Sequence, residues 1–372
     1  MAKIGIIRGL LPRVTQAEFA NSFKKIEPIF ITGSASSEVR EYCKKVGLKN
    51  VDLPVKKTWS FDPTIFVPGS QAHHRLKIPS RLYEACLGQD VLETYEAYHL
   101  FSGEAVEVAR KLNIPLVCEV WTSFRHPAYF VPPYSINTKK VIRAASLFIA
   151  RSKRAKSTLL RLGVDDEKIR VIYHGVNIKK FKIKYKSRKN SKKLVILCVG
   201  EMEEYKGVDD LLKVWPQIYE KYKNVNLWLV GKGSLTNSAN KIAGVKVWGY
   251  VAHSQLPEVY RQADIFVSPS KNRHFGPFLW WEEFFSYTLM EAQASGLPII
   301  GSDSGGIPEE IGGKNLIVKQ GDKEGLKKAL IMLIENKSLR ESLSLGNRGR
   351  AERLFNLQKN TQKLEDEIVK IL

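Results

Sequence analysis

The sequence predicts an α/β protein of two Rossmann-like domains, each a parallel sheet with helices between its strands. Three observations predict it. The 372 residues exceed what one ordinary core holds, at roughly 150 residues per domain. Short apolar runs that end in glycine or polar residues alternate with helical stretches along both halves, the pattern of parallel α/β units. Apolar periodicity stops near Lys182 to Lys193, where Lys, Ser, Arg and Asn take over, so the join lies there.

In the first half the strands are KIGIIRG, PIFITGS, DVLETYE, PLVCEVW, SLFIARS and KIRVIYHG; in the second they are LVILCVGE, VNLWLVGKG, DIFVSPS and LPIIGSDSGG. Val208 to Tyr222 and Leu256 to Ala263 have helical spacing, and the chain after Gly321 is helical, with no strand after Val318. The boundaries are then 1–185 for an N-terminal domain, 186–350 for a C-terminal domain, and 351–372 for a helix that crosses back to the first. Two such halves leave a cleft lined by the carboxyl ends of their strands, where open α/β sheets bind ligands.

Composition narrows the function classes. At 44% hydrophobic and 10% aromatic the chain is globular. Cys43, Cys86, Cys118 and Cys198 are scattered with no C-x-x-C, which excludes a zinc knuckle or a redox pair and suits reduced thiols in a cytoplasmic protein. His73-His74 has no partner at metal-ligand spacing. No apolar run approaches the roughly 18 residues of a membrane span, and MAKIGIIRGLL reads as a first strand rather than a signal peptide.

The net charge of +21 is uneven: residues 1–190 carry +18 and the rest +3. Asn137 to Gly163 and Asn177 to Lys193 contain no acid. Such a surface attracts phosphate-rich partners, whether nucleic acid, anionic headgroups or nucleotide-linked substrates, or it reflects a lysine-rich composition alone.

The stretch EFFSYTLMEAQASGLPIIGSDSGG, Glu283 to Gly306, carries the most chemistry. Ser286 is the N-cap of a helix Tyr287 to Ser295, Gly296 its C′ residue, and Pro298 blocks continuation. Glu283 precedes the helix and Glu291 lies more than a turn inside it. Between them the amides of Phe284, Phe285, Ser286, Tyr287 and Thr288, at the positive end of the helix dipole, make a site for a diphosphate. A carboxylate accepts two hydrogen bonds from a cis-diol, so one acid on each flank suits a ribose and a sugar.

Glu283 and Glu291 match the E-x7-E motif, and the second half resembles in order the retaining GT-B glycosyltransferases of the family 4-like group, relatives of glycogen synthase and phosphatidylinositol mannosyltransferases. The matching segments are VGEMEEYKGVDDLL, WLVGKGS, GYVAHSQLPEVYRQADIFVSPS and MEAQASGLPIIGSDSGGIPEEI, preceded by ASLFIARSKRAKSTLLRLG and KIRVIYHGVNIKKF. The resemblance implies that Lys206 contacts a donor diphosphate, Glu291 the ribose, Glu283 the transferred sugar, and Tyr250 and Val251 the base. It also implies transfer with retention, no metal and no cofactor, and a UDP- or GDP-linked donor.

Two departures stand out. Glu201 occupies the place of a family arginine, so that either it faces away and Lys271, Arg273 or His274 supplies charge, or donor binding is weakened. Phe284 replaces a glycine and follows KNRHFGPFLWWE, whose aromatics wall the acceptor site, touch lipid or belong to the core. On the acceptor side the strand ends offer Arg8 and Gly9, Glu93 and Glu96 with His99, Trp121, and His126. The last stands for the family's catalytic histidine beside the sugar; otherwise it is a loop histidine next to Pro127.

The sequence thus predicts a hexosyltransferase with Glu283, Lys206 and His126 in catalysis, acting on a glycan, lipid-linked or otherwise anionic acceptor. It is expected in the cytoplasm, peripheral on the inner face of the membrane, with no nucleic acid partner. The competing reading is a non-catalytic basic protein, binding membrane or nucleic acid, whose donor site has decayed. A hydrolase using the two glutamates as acid and base fits poorly, because Glu291 is expected at the ribose.

Overall fold

A computed structural model describes residues 1–10, 12–54, 56–57, 76–77, 81–183 and 193–372. His73, His74 and most of the expected polar join lie outside the described residues. The chain forms two compact units, Met1–His174 with Leu357–Leu372, and Gly175–Asn356.

In the first unit β1 (Lys3–Leu10), β2 (Glu27–Gly33) and β3 (Asn50–Leu53) are followed by a small antiparallel pair, β4 (Lys56–Lys57) with β5 (Leu76–Lys77). Then come β6 (Val91–Tyr95), β7 (Leu116–Val120), β8 (Leu147–Ala150) and β9 (Ile169–Val171). The seven-stranded sheet runs β3-β2-β1-β6-β7-β8-β9 and all its pairs are parallel. Strands covered on both faces read as continuous apolar runs, which is why the central ones were legible. Ile7, Leu92, Cys118 and Phe148 pack on one face against Phe101, Ala105 and Val108 of the helix Leu100–Leu112. On the other face Ile4, Ile6, Val91, Val117 and Ile149 meet Phe19 of the helix Val14–Ala20, and Leu357, Leu364 and Ile368 of the helix Leu357–Val369.

That C-terminal helix is also tied by polar contacts. Buried Glu365 accepts the amides of Lys24, Lys25 and Ile26 at 2.8, 2.5 and 3.0 Å, and Ser22 and Thr361 share a hydrogen bond of 2.6 Å.

The second unit contains β10 (Leu194–Val199), β11 (Val225–Val230), β12 (Val245–Gly249), β13 (Ile265–Ser268), β14 (Arg273–Phe275), β15 (Phe278–Trp281), β16 (Ile299–Ser302) and β17 (Leu316–Val318). Its sheet is β12-β11-β10-β13-β16-β17, again parallel. The core centres on Ile196, Trp215, Leu229, Val267 and Leu330.

β14 and β15 form an antiparallel hairpin outside the sheet. The run Lys271–Glu282 is therefore no core segment at its tip: Phe275 is 70% and Phe278 65% exposed. The helix after it spans Tyr287–Ala294 and ends as its sequence dictates. Gly296 has φ +68°, its amide donates to Gln293 O at 2.9 Å, and the Leu297 amide donates to Ala292 O at 2.9 Å, the Schellman pattern.

The burial of Leu364 predicts that Leu364→Ala lowers unfolding stability by about 2–5 kcal/mol, as other leucine truncations in cores do. Denaturant titration measures the loss, and amide exchange locates it in β1 and Val14–Ala20. Unaltered exchange there would contradict the packing.

Candidate functional site

The second unit gathers its candidate residues at the carboxyl ends of its strands. After β10 a tight turn, Glu204–Lys206, presents Lys206, whose Nζ lies 2.8 Å from Glu283 Oε2 and 4.5 Å from the centre of the Trp281 ring. The turn reaches this place because Gly207 has φ +70° and a Cβ there would stand 1.9 Å from Pro269 O. Only glycine allows that approach. Ser270, just past β13, donates its hydroxyl to the same Glu283 oxygen at 3.1 Å.

The Gly305-Gly306 pair answers what holds Glu283. A Cβ on either would sit 2.0 Å from Glu283 O or 1.9 Å from Phe284 O, and the Gly306 amide donates to Glu283 O at 2.7 Å. The backbone after β16 is thus pressed against the loop that carries the acid.

Glu291 is buried inside the helix. His253 Nε2 is 3.1 Å from its Oε1, while Oε2 is buried with no hydrogen-bond partner. Tyr260, whose hydroxyl donates to Thr288 O at 3.3 Å, is pushed well above the ordinary phenol range by burial and by Glu291 beside it.

The expectation of an open amide is corrected at one position. Ser286 N–H donates to Glu310 Oε2 at 2.8 Å, from the helix Ile307–Ile311. Burial holds this carboxyl well above the usual carboxylate range. Ser286 Oγ shares a hydrogen bond of 2.8 Å with Thr288 Oγ1. Tyr250 and Val251 follow β12, and Tyr250 is 66% exposed.

Glu201 is exposed and accepts the Tyr205 hydroxyl. Of the three cations named for its neighbourhood, Lys271 is engaged by Asp209 at 2.7 Å and Asp210 at 3.1 Å. Arg273 stacks 5.0 Å from the Tyr205 ring, and His274 is exposed on the hairpin. His253, Ser270 and Glu310 were not singled out from the sequence, although all three lie within segments that matched the family.

In the first unit the acceptor-side candidates are mostly internal. Buried Arg8 donates to Glu93 Oε1 at 3.0 Å and to Glu119 Oε2 at 2.9 Å, and Arg151 Nε lies 2.8 Å from Glu119 Oε1. Trp121 Nε1 donates to Glu119 Oε1 at 2.5 Å. Burial drives Glu93 up against the pull of Arg8, with Glu119 adding to the rise; for Glu119 the two arginines outweigh burial and hold it well below the usual range. A Cβ at Gly9 would meet the Phe101 ring at 2.3 Å.

Glu96, with φ +57°, caps the end of β7: its Oε1 accepts the amides of Trp121 at 2.8 Å and Thr122 at 2.9 Å. Burial raises it to about 7, against those hydrogen bonds. His126 Nδ1 accepts the Ala128 amide at 3.2 Å, and its ring stacks on Tyr98 at 5.0 Å. His99 Nδ1 is 3.2 Å from Tyr95 O. Glu96, His99 and His126 thus share the loops after β6 and β7, while Arg8 and Glu93 lie within β1 and β6.

Among the described residues no cluster of three His, Cys, Asp or Glu side chains could hold a metal, and no helix is long and apolar enough to cross a membrane.

Residues 179–350 match the family model for group 1 glycosyl transferases, and residues 39–180 the model for glycosyltransferase family 4. A GDP-mannose-dependent monoacylated α-(1-6)-phosphatidylinositol monomannoside mannosyltransferase of Corynebacterium glutamicum is 29% identical over 42% of this chain and 42% of its own length. Sulfoquinovosyl transferase of Arabidopsis thaliana is 22% identical over 71% of this chain and 53% of its own. The chain thus spans about half the length of the curated relatives it matches. Among solved structures, Anabaena HepE in complex with UDP superposes with a TM-score of 0.77 at 16% identity, covering both chains fully. Sucrose-phosphate synthase of Thermosynechococcus elongatus gives 0.70 at 17%, covering 100% of this chain and 99% of that one. Two glycosyltransferase family models thus match the chain in succession from residue 39 to residue 350, and its fold, shared over the full length, is the GT-B fold of glycosyltransferases.

Proposed function

We propose that the protein is a retaining glycosyltransferase that moves a hexose from a nucleoside diphosphate sugar, UDP- or GDP-linked, to a lipid-linked or otherwise anionic acceptor. The observation that carries this is Lys206, held by Glu283 and Trp281 at the strand ends beside the start of the helix Tyr287–Ala294. Breaking a glycosyl–phosphate bond places negative charge on the departing diphosphate, and a fixed ammonium with oriented amides stabilises it. The ammonium has three N–H donors, so it can serve Glu283 and a phosphate together.

Glu291 supplies the complementary function, since its buried, unpartnered Oε2 can accept a ribose hydroxyl while His253 fixes Oε1. Glu283, anchored at Oε2 by Lys206 and Ser270, faces the transferred sugar. UDP in the HepE structure and GDP-mannose in the name of the corynebacterial relative support the donor class. The phosphatidylinositol monomannoside in that same name, with the +18 of residues 1–190, supports the acceptor class and a peripheral place on the inner face of the membrane. Nothing at Glu201 favours the non-catalytic reading, because its carboxylate is exposed and bonded to Tyr205 while the Lys206–Glu283 pair is intact.

Isothermal titration with UDP and GDP, followed by assay with a nucleotide-sugar pool and a membrane extract, tests the proposal. Glu291→Ala weakens nucleotide binding, Glu283→Ala lowers turnover by at least about tenfold, or ~1.4 kcal/mol, and Lys206→Ala does both. A folded protein that binds neither nucleotide, or three variants with parental kinetics, sinks it.

A second prediction concerns the acceptor-side loops. Because Glu96 titrates near 7 when folded, against an ordinary value of 4.5, the native chain holds a proton that the unfolded chain releases. Stability therefore falls as pH rises from about 4.5 to about 7, by at most ~1.4 kcal/mol per pH unit. Glu96→Gln keeps an oxygen for both amides and flattens that slope. Denaturant midpoints across this window check it, and an unchanged slope contradicts it.

A further inference from the structure

We infer that the β14–β15 hairpin is a membrane-contacting finger, whose aromatic tip enters the headgroup layer of an anionic bilayer. The inference deepens the lipid-linked acceptor reading and rests on it, while the residues of the hairpin tip, Phe275 and Phe278, belong to no part of the proposed donor site. The base of the hairpin is rooted: Asn272 N donates to Gln320 Oε1 at 2.6 Å, Ser304 Oγ donates to Asn272 Oδ1 at 2.7 Å, and Trp281 meets Tyr205 edge-on with ring centres 4.7 Å apart.

The tip is the opposite. Phe275 and Phe278 pair across the strands around Gly276, whose φ of +55° suits a tight two-residue turn, and both rings point into solvent. Trp280 packs edge-on to Phe275 with centres 6.4 Å apart, extending the aromatic patch. Exposing paired aromatics costs solvation free energy, whereas phenylalanine and tryptophan are favoured at a bilayer interface.

Size and charge choose the bilayer over other occupants. Three residues of strand beyond the base span about 10 Å, close to the roughly 5–10 Å that interfacial elements enter. From Lys271 to Trp281 the hairpin has no acid, it carries Arg273 and His274, and the whole chain is at +21. A second copy of this chain would bring like charge to the tip, whereas anionic headgroups bring the opposite.

The test uses the full chain and vesicles of phosphatidylcholine with or without phosphatidylglycerol. All four native thiols are buried, so Pro277→Cys accepts an environment-sensitive fluorophore selectively, and Leu345→Cys, at a position 72% exposed, serves as the distant control. The label at 277 shifts to the blue with phosphatidylglycerol vesicles and is quenched by brominated lipid, while the label at 345 stays silent. The double variant Phe275→Ser/Phe278→Ser partitions to these vesicles about tenfold less or weaker still, with UDP and GDP binding equal to the parent. A silent label at 277, parental partition of the double variant, or a dimer that the double variant dissociates overturns the inference. Failure of the parent to bind either nucleotide bears on the donor reading alone and leaves the vesicle result standing.

Discussion

The ammonium of Lys206 and the carboxylate of Glu283, 2.8 Å apart, organise the second unit's strand ends. The two residues are 77 positions apart in sequence, and each is delivered by a segment that glycine lets press against another backbone. Gly207 admits the lysine turn against Pro269 O, and Gly305 and Gly306 clamp the loop that bears the glutamate. A methyl group at any of the three would collide at about 2 Å with a carbonyl oxygen, which a neighbouring backbone cannot yield. The pair is largely buried, with the Lys206 side chain 23% and the Glu283 side chain 12% exposed, and its value lies in fixing a cation and an acid in one orientation before any ligand arrives.

How much of this was legible depends on how each residue earns its place. The central strands β1, β6, β7, β10 and β13 are buried on both faces and show as apolar runs, and the Gly296 stop of Tyr287–Ala294 follows from its dihedral alone. The edge strands β3, β12 and β17 are short, NVDL, VKVWG and LIV, and gave too little pattern to be named. The hairpin was hidden for another reason: an aromatic run such as HFGPFLWW satisfies the composition of a core strand, and only its place outside the sheet exposes the tip. His253, Ser270 and Glu310 act through contacts between residues 13 to 38 positions apart, which periodicity does not register.

The first unit shows the complementary difficulty. Arg8 and Glu93, within β1 and β6, and Trp121, just past β7, carry polar heads, which from sequence suggests a binding surface. Their side chains instead form a network with Glu119 and Arg151. Ion pairs this deep are costly to desolvate and endure only when each charge has several partners, as Glu119 does with two arginines and an indole. Sequence cannot distinguish such a network from a binding site, because both require charged residues at the same strand positions.

The three acids around the helix Tyr287–Ala294 show how neighbouring positions give the same side chain different surroundings. Glu283 is paired with Lys206, and Glu291 keeps one oxygen on His253 and the other without a protein partner. Burial drives Glu310 well above the usual carboxylate range, which favours its neutral form. Its Oε2 accepts the Ser286 N–H at 2.8 Å, which satisfies that amide at the start of the helix. An ionised acid in the same position would oppose the diphosphate of the proposed donor, so the upward shift that burial gives Glu310 acts in the direction that favours an anion there.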